Sequence, residues 1–469
     1  MKYTSWVDAP ELGHRLDPYR YDPVFIGAHR RLTTQVATAS LESLTTAPIN
    51  YGILQPREFR DIGIPMVRAV DLGNPTVDWA EVRKVPPEVE TPYRRSRLAA
   101  GDVLLSIAGT LGAVGIVPTG PSVANVNQSV ARIRPSPALD GGFLAAFLMT
   151  RLGQTILERE AVGSVQRHLN IEDVRTLRIP TPANGIDRAI GNKLRKAERL
   201  RALAAAGRHR AQIAMNAHAP RFVNATAMTS WVRPETMDER MDTQPYRSHF
   251  LSLAQALRSA GAVEVREVAT VSGGDPVSSE EFRQSGVPLV RIRDIQPGGF
   301  GPSDDSVTNE YFQSRPAAAA RHGRIVVGMD GEFRAQFFIE SDLPRLVNQR
   351  VAIIDCFGIR PELLVAWLNR PEGQLQLARW AVQTTVAHTS LEHIRSLRVP
   401  RMPPSEEEAA AEGLLLARRA VAEAATLVEH ARASVEALIN GTLDEPALLA
   451  ESDAIEAWLV ANPSPDAKA

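Results

Sequence analysis

Few groups in this sequence are arranged for bond-making chemistry. The single cysteine, Cys356, is a nucleophile by type, but it sits in "VAIIDCFGI", an apolar strand-like run where a buried structural thiol is expected. Glycines 109, 112 and 115 of "LLSIAGTLGAVGIVP" raise the question of a phosphate-cradling loop, yet no Gly-Lys-Ser/Thr follows them. Histidine-rich metal spacing is absent, and "PDAKA" at the C-terminus lies in a polar tail expected to be disordered. The side chains that remain are polar and arginine-rich, and arginine is the side chain best suited to guanine edges and phosphates.

The first such group is a polar loop that occurs twice. One version carries Gly163, Ser164, Val165, Gln166, Arg167 and His168; the other carries Gln383, Thr384, Thr385, Val386, Ala387 and His388. The alternative reading is a solvated loop capping the next helix, with Asn170 and Ser390 as N-caps of "IEDV" and "LEHI". The second group is "TPYRRSRLAAGD", where Arg94, Arg95 and Arg97 are placed to neutralise phosphates or to form a solvated basic surface. Arg334 replaces a glycine in a turn and is expected to project outward or to pair with Glu332. Gln55 and Arg57, before "GIPMVR", complete the candidates.

Those loops are held by elements that are written twice. "GIPMVRAVDL" (63–72) matches "GVPLVRIRDI" (286–295), and "GTLGAVGIV" (109–117) aligns with "GEFRAQFFI" (331–339). Asn127-Gln128 aligns with Asn348-Gln349, "GQTILE" (153–158) with "GQLQLA" (373–378), and "VRTLRIP" (174–180) with "IRSLRVP" (394–400). Order is preserved and the offset drifts only from 223 to 220, which marks an internal duplication. The apolar stretch 104–118 therefore cannot be a membrane span, because its counterpart holds Asp330, Glu332 and Arg334. It reads as two short strands joined by a glycine turn inside an α/β domain. The amides common to both copies, and Arg68 with Asp71 and Arg291 with Asp294, are expected to be structural: buried hydrogen-bonding amides and local ion pairs.

Composition fits this picture. The chain has 469 residues, 44% hydrophobic and 23% charged, with room for several domains. One cysteine leaves no intramolecular disulfide, which points to a reducing, cytoplasmic compartment. No stretch reaches spanning length, and the N-terminus lacks the apolar core of a secretory signal. Net charge is −1, but residues 404–469 hold 13 acidic and 4 basic side chains, leaving 1–403 positive by eight. Of the 53 basic residues 48 are arginine, a bias that a GC-rich genome also produces.

A long periodic segment follows each copy. Leu414, Ala417, Val421, Ala424, Val428, Ala431, Val435 and Leu438 recur at alternating steps of three and four, as do Ile186, Ile190, Lys193, Ala197, Leu200, Ala204, Gly207, Ala211 and Ala214. That is a coiled-coil seam with Lys193 as its polar interruption. Some 30 helical residues span about 45 Å, compared with about 34–36 Å per turn of duplex.

Up to about residue 445 the chain resembles the specificity subunit of type I restriction-modification systems. The resemblance rests on "GIPMVRAVDL", "GDVLLSIAGTLGAVGIV", "NVNQSVARIRP", "GVPLVRIRDI", "VVGMDGEF", "LVNQRVAII", the junctions "LRIPTP" and "LRVPRMPP", and "ALINGTLDE". It implies an α+β protein of two tandem α/β target-recognition domains of like fold, separated by two long helices that form an antiparallel coiled coil. The expected divisions are recognition domains at 1–181 and 231–402, spacer helices and linker at 182–230 and 403–445, and an acidic tail at 446–469. Each recognition domain would read one half of a gapped double-stranded DNA site, and the helices would dock two methyltransferase subunits. The chain itself would bind no cofactor and catalyse nothing: S-adenosylmethionine would serve the adenine methyltransferase partner, and ATP and Mg a restriction or translocase partner. An Asn-Pro-Pro-Tyr-type methyltransferase motif and a Walker loop are both absent from the sequence. The competing expectations are an adaptor that scaffolds a related DNA-defence complex with little readout of its own, and a self-contained DNA-modifying enzyme.

Overall fold

The computed structural model describes residues 17–463, except 57, 74, 80, 164–165, 224–230, 233–236, 238–241 and 384–386. Candidates Arg57, Ser164, Thr384 and Thr385 lie outside the described residues. The chain divides into two units, Met1–Ala202 with Glu423–Ala469 and Leu203–Ala422.

Unit 1 contains strands β1 (Thr38–Ser40), β2 (Asn50–Tyr51), β3 (Ile64–Val67), β4 (Lys84–Val85), β5 (Val103–Ser106), β6 (Val114–Ile116), β7 (Asn125–Val126), β8 (Val130–Ile133) and β9 (Arg178–Pro180). Its helices are α1 (Pro23–Gln35), α2 (Pro87–Glu90), α3 (Gly141–Met149), α4 (Arg151–Glu160), α5 (Ile171–Thr176) and the start of α6 (Ile186–His218). The strands form an antiparallel sheet β2-β8-β5-β6, a three-stranded sheet β4-β3-β7 with β3 and β7 parallel, and a ribbon β1-β9. The four-stranded sheet is covered on both faces. Val103, Leu105, Ala131 and Ile133 pack on Phe143 and Phe147 of α3. Leu104 and Val130 face Val67 and Val126 of the smaller sheet. Double coverage explains why 104–118 carries no charge and shows no alternation.

Unit 2 repeats this plan. Its strands are β10 (Val263–Glu264), β11 (Ala269–Gly273), β12 (Val287–Val290), β13 (Ile295–Gln296), β14 (Gly299–Phe300), β15 (Ser306–Val307), β16 (Ile325–Gly328), β17 (Ala335–Phe337), β18 (Leu346–Val347), β19 (Val351–Cys356), β20 (Val382–Gln383), β21 (Ala387–His388) and β22 (Arg398–Val399). Helices are α7 (Ser248–Ser259), α8 (Val265–Val268), α9 (Asn309–Gln313), α10 (Pro361–Leu368), α11 (Pro371–Arg379), α12 (Leu391–Arg395) and the first part of α13 (Pro404–Asn440); α14 (Glu445–Ala461) belongs to unit 1. The sheets run β11-β19-β16-β17, β15-β12-β18 and β10-β22, with β12 and β18 parallel. Ile325, Val327, Ala352 and Ile354 pack on Leu364 and Trp367, while Val326, Val351 and Ile353 face Leu289 and Val347. The duplication is thus one of topology as well as sequence. Cys356, expected to be buried, ends β19 partly buried, and desolvation together with Asp355 and Glu362 pushes its thiol up to about 12.

The helical segment that follows each strand-rich region is broken in two, α3–α4 in unit 1 and α10–α11 in unit 2. Thr150 adopts an extended backbone and caps α4 through Gly153 N (2.9 Å). In unit 2 Pro371 opens α11 at the same place. The tight reversal leaves no room for a side chain: a Cβ on Gly153 would lie 2.2 Å from Phe147 O, and one on Gly373 2.3 Å from Trp367 O. This explains the glycine of the repeated Gly-Gln.

The long helices pair antiparallel within each unit. In unit 1 Lys193 Nζ meets Ser434 Oγ at 3.3 Å and Lys196 meets Glu423 at 2.7 Å. In unit 2 His218 meets Glu406, and a Cβ on Gly207 would stand 3.2 Å from Gly413 O, so small residues let the backbones approach. Ile190, Lys193, Ala197, Ala204, Ala211, Ala417, Ala424, Ala431 and Val435 of the expected seam are buried, and Ile439 takes the inward place expected of Leu438. Residues of the acidic tail form α14, which packs on α6: Asn192 bonds Ser452 and Glu456, Lys193 pairs with Glu451, and Lys196 stacks on Trp458. Among the described residues no helix is long and apolar enough to cross a membrane, and no group of three His, Cys, Asp or Glu could hold a metal.

Candidate nucleic-acid interface

In each unit the polar loop is stitched to one end of the four-stranded sheet. In unit 1, β2 and β5 end and β8 begins at this edge. Ile53 bridges Asn127, Ile107 N donates to Ser129 O at 2.8 Å, and Leu169 N donates to Ile107 O at 2.9 Å. Val162 and His168 exchange two backbone hydrogen bonds (2.8 and 2.9 Å), which pinches off the polar loop beside the β5–β6 turn. Unit 2 places Asp275 against Asn348, Met329 N on Arg350 O and Thr389 N on Met329 O (2.9 Å) in the same way.

Gln154 and Gln374, to which sequence reasoning gave no role, position this edge. Gln154 Nε2 donates to Gly112 O (2.9 Å) and Leu148 O (2.6 Å). Gln374 Nε2 donates to Phe333 O (3.1 Å) and Leu368 O (2.7 Å). Each glutamine ties the β-hairpin turn to the preceding helix. The repeated Gly-Gln was the available signal.

The candidate residues divide by what holds them. Gln166 and His168 are exposed at the sheet edge. Arg167 turns back: it stacks 4.2 Å over the Tyr19 ring and bonds Glu158 Oε1 (2.9 Å) and O (2.7 Å). Burial and the Glu158 carboxylate raise the Tyr19 phenol. His388 Nδ1 lies 2.5 Å from Asp330, which Arg350 also faces, and Arg334 pairs with Glu332 at 2.8 Å. Gln55 is exposed at the same edge with φ 36°, its backbone N–H bonded to Gln128 Oε1.

Arg94, Arg95 and Arg97 belong to another part of unit 1. Their 3-10 turn is held through Arg95 O, which accepts from Asn50 Nδ2 (3.1 Å) and Arg132 (3.3 Å). Arg94 and Arg95 are exposed. Arg97 is committed inward, bidentate to the fully buried Glu90 at 2.7 and 2.8 Å. The Arg97 hydrogen bonds, helped by Asn125, hold the Glu90 carboxyl below its usual range despite desolvation.

The expected structural residues are partly as anticipated. Asn127 and Asn348 are half-buried and accept from Ser129 N and Arg350 N, but Gln349 is exposed rather than buried. Arg68 pairs with Asp71 (2.7 Å), whereas Arg291 sends its guanidinium to Asp305 (2.9 Å) and only its backbone N–H to Asp294. The reason is local: β15 brings Asp305 alongside β12. Ser390 caps α12 through His393 N (3.1 Å); Asn170 occupies the N-cap place but spends its amide on Asp173.

Residues 58–209 match the family described as Type I restriction modification DNA specificity domain. A segment of 140 residues is 31% identical to the Type I restriction enzyme EcoBI specificity subunit of Escherichia coli, covering 30% of this chain and 29% of that relative's length. Among solved structures, the type I restriction-modification S subunit of M. genitalium is similar over 87% of this chain and 97% of that one, at 14% identity and TM-score 0.47. The HsdS subunit of Thermoanaerobacter tengcongensis is similar over 88% and 98%, at 15% identity and TM-score 0.30.

Proposed function

We propose, for a chain whose residues 58–209 carry a type I restriction-modification DNA specificity domain, that it is the DNA-reading subunit of such a system. Each unit reads one half of a bipartite, gapped double-stranded site, and the α6–α13 pair spaces the halves and docks two methyltransferase subunits. The chain binds and positions DNA; the partners carry the chemistry. S-adenosylmethionine supplies the methyl group in an adenine-specific methyltransferase, and ATP with Mg serves a restriction subunit where one is present.

One observation carries this reading: the same sheet edge is built twice on the same backbone scaffold and finished with different side chains. Unit 1 presents Gln55, Gln166 and His168; unit 2 presents Arg334, Arg350 and His388. Two frames with unlike edges suit two unlike half-sites, because base edges are distinguished by the donors and acceptors that meet them. Methylome sequencing of a host carrying this chain and its methyltransferase is the test. The expected result is a gapped, asymmetric motif with modified adenines, one half of which changes when residues 38–180 are exchanged for those of a relative. Methylation indifferent to that exchange would favour a scaffold with no readout.

Phosphate contacts make a separate prediction. Arg94→Ala and Arg95→Ala should each flatten the dependence of log affinity on log salt by about 0.9 while leaving the recognised sequence unchanged. Arg97→Ala should instead lower the melting temperature of unit 1, because Glu90 is left buried without its cation. Equal salt slopes for wild type and the Arg94 and Arg95 variants would remove these residues from the interface.

A further inference from the structure

The best-preserved segment of the duplication contains one exposed position where the copies differ in chemistry. "GIPMVRAVDL" and "GVPLVRIRDI" share β3 or β12, then the Arg68 or Arg291 N-cap, then the Asp71 or Asp294 carboxylate that accepts the N-cap N–H at 2.9 Å. Between these shared residues stand Ala69-Val70 in one copy and Ile292-Arg293 in the other. The first of each pair packs inward against the β-hairpin of the sheet edge. A Cβ on Gly109 would touch the Ala69 methyl at 4.0 Å, and one on Gly328 would lie 3.0 Å from Ile292. The second points out: Val70 is 72% exposed and the Arg293 side chain 54% exposed.

The strand ends place both at the proposed reading edge, since Asn127 N donates to Val67 O (2.9 Å) and Asn348 N to Val290 O (3.0 Å). Leu54, next to Gln55 in the chain, is also exposed, at 52%. Asp305 at 3.5 Å and the buried Asp294 at 3.8 Å stand at the outer limit of pairing with Arg293, which is held closely only by Asp304 at 2.8 Å, a carboxylate 77% exposed. Such surface pairs are worth about 0–1 kcal/mol, so a base edge can displace it.

We infer that Val70 and Arg293 are equivalent specificity-determining positions, Val70 making apolar contact with a thymine methyl and Arg293 donating to a guanine edge. The inference rests on the DNA-reading function proposed above. The pairings follow from major-groove chemistry: the thymine C5 methyl is its apolar feature, and guanine O6 and N7 accept two arginine donors.

The test is the methylome of hosts expressing the full chain with its methyltransferase, as wild type, Arg293→Val, Arg293→Gln and Val70→Arg. Arg293→Val should abolish guanine preference at one position of one half-site, with methylation of the other three bases there rising on the order of 10-fold relative to guanine. Arg293→Gln should move that preference toward adenine. Val70→Arg should replace thymine at one position of the other half-site. The inference is overturned if all variants keep the wild-type motif, or if Arg293→Val lowers methylation evenly with no change in base preference, as loss of a phosphate contact would. A wild-type methylome without any gapped motif would instead overturn the function on which the inference rests.

Discussion

Arg134→Met is expected to cost unit 1 about 3 kcal/mol, the low end for removing one partner of a buried ion pair, because Arg134 itself is 34% exposed. The carboxylate it abandons, Asp102, is 1% exposed and is held bidentate by Arg134 at 2.7 and 2.8 Å. Unit 2 carries the same pair with its charges exchanged. Val103 faces Ile133 across β5–β8 and Ile325 faces Ile354 across β16–β19, so Asp102 corresponds to Arg324 and Arg134 to Asp355. Arg324 pairs with Asp355 at 2.8 Å and is 5% exposed. The cost of Asp355→Asn should fall lower than that of Arg134→Met, because Arg324 keeps the Ala317 and Ala319 carbonyls at 2.8 and 2.6 Å. The double exchange Asp102→Arg with Arg134→Asp should recover only part of the loss, since Ala99 N (2.8 Å) forfeits its carboxylate acceptor. Urea unfolding of the single and double variants measures all of this; a loss under 1 kcal/mol for Arg134→Met would refute it.

The same pair sets an acid limit. Burial alone would raise the Asp355 carboxyl, but hydrogen bonds from Arg324 and Arg321 hold it below the usual carboxylate range. A group with a depressed folded pKa stabilises the fold above its unfolded value, about 3.9 for aspartate, and loses that contribution as pH falls through the folded value. Unit 2 stability in the Asp355→Asn variant should therefore depend less on pH in the acid range than wild type.

Deleting residues 445–469 is the second large effect expected, about 3 kcal/mol or more, chiefly from the lost burial of Leu448 and Ile455. Lys193 is the seam's polar interruption and is 5% exposed; its ammonium is matched by Glu451 of α14 at 2.8 Å and by Ser434 at 3.3 Å. Without α14 the ammonium loses its carboxylate and keeps the Ser434 hydroxyl as partner, and the buried Leu448 and Ile455 contacts are lost as well. Glu451→Gln alone should cost far less, because Glu451 is 42% exposed and water replaces part of its role. Lys193→Met should blunt the effect of the deletion, since an apolar residue of similar volume needs no counter-charge there. A deletion equally harmful in both backgrounds would show that α14 stabilises by apolar burial alone.

Much of the architecture was legible in the linear chain because its causes are local or repeated. Alternating three- and four-residue spacing marked the seam that the α6–α13 pairing buries, and two ordered sets of motifs foretold two sheets of one topology. The uncharged run 104–118 has its counterpart at 326–340, whose charges exclude a membrane span. Residue type also narrowed the proposed reading edge to a few loops.

What the chain alone did not disclose is which partner each long charged side chain would take. Arg97 goes to Glu90 seven residues away, Arg167 to Tyr19 at a separation of 148, and Lys193 to Glu451 of a tail marked in the sequence only by its acidity. An arginine reaches any carboxylate within several ångströms of its stem, and sequence spacing says nothing of distance once strands and helices fold back on one another. Charge exchange between Asp102–Arg134 and Arg324–Asp355 was hidden for the same reason: compared one position at a time, both sites look unrelated. Periodicity and repetition are properties of the chain and determined the elements; pairing is a property of proximity, and only the tertiary structure decided it.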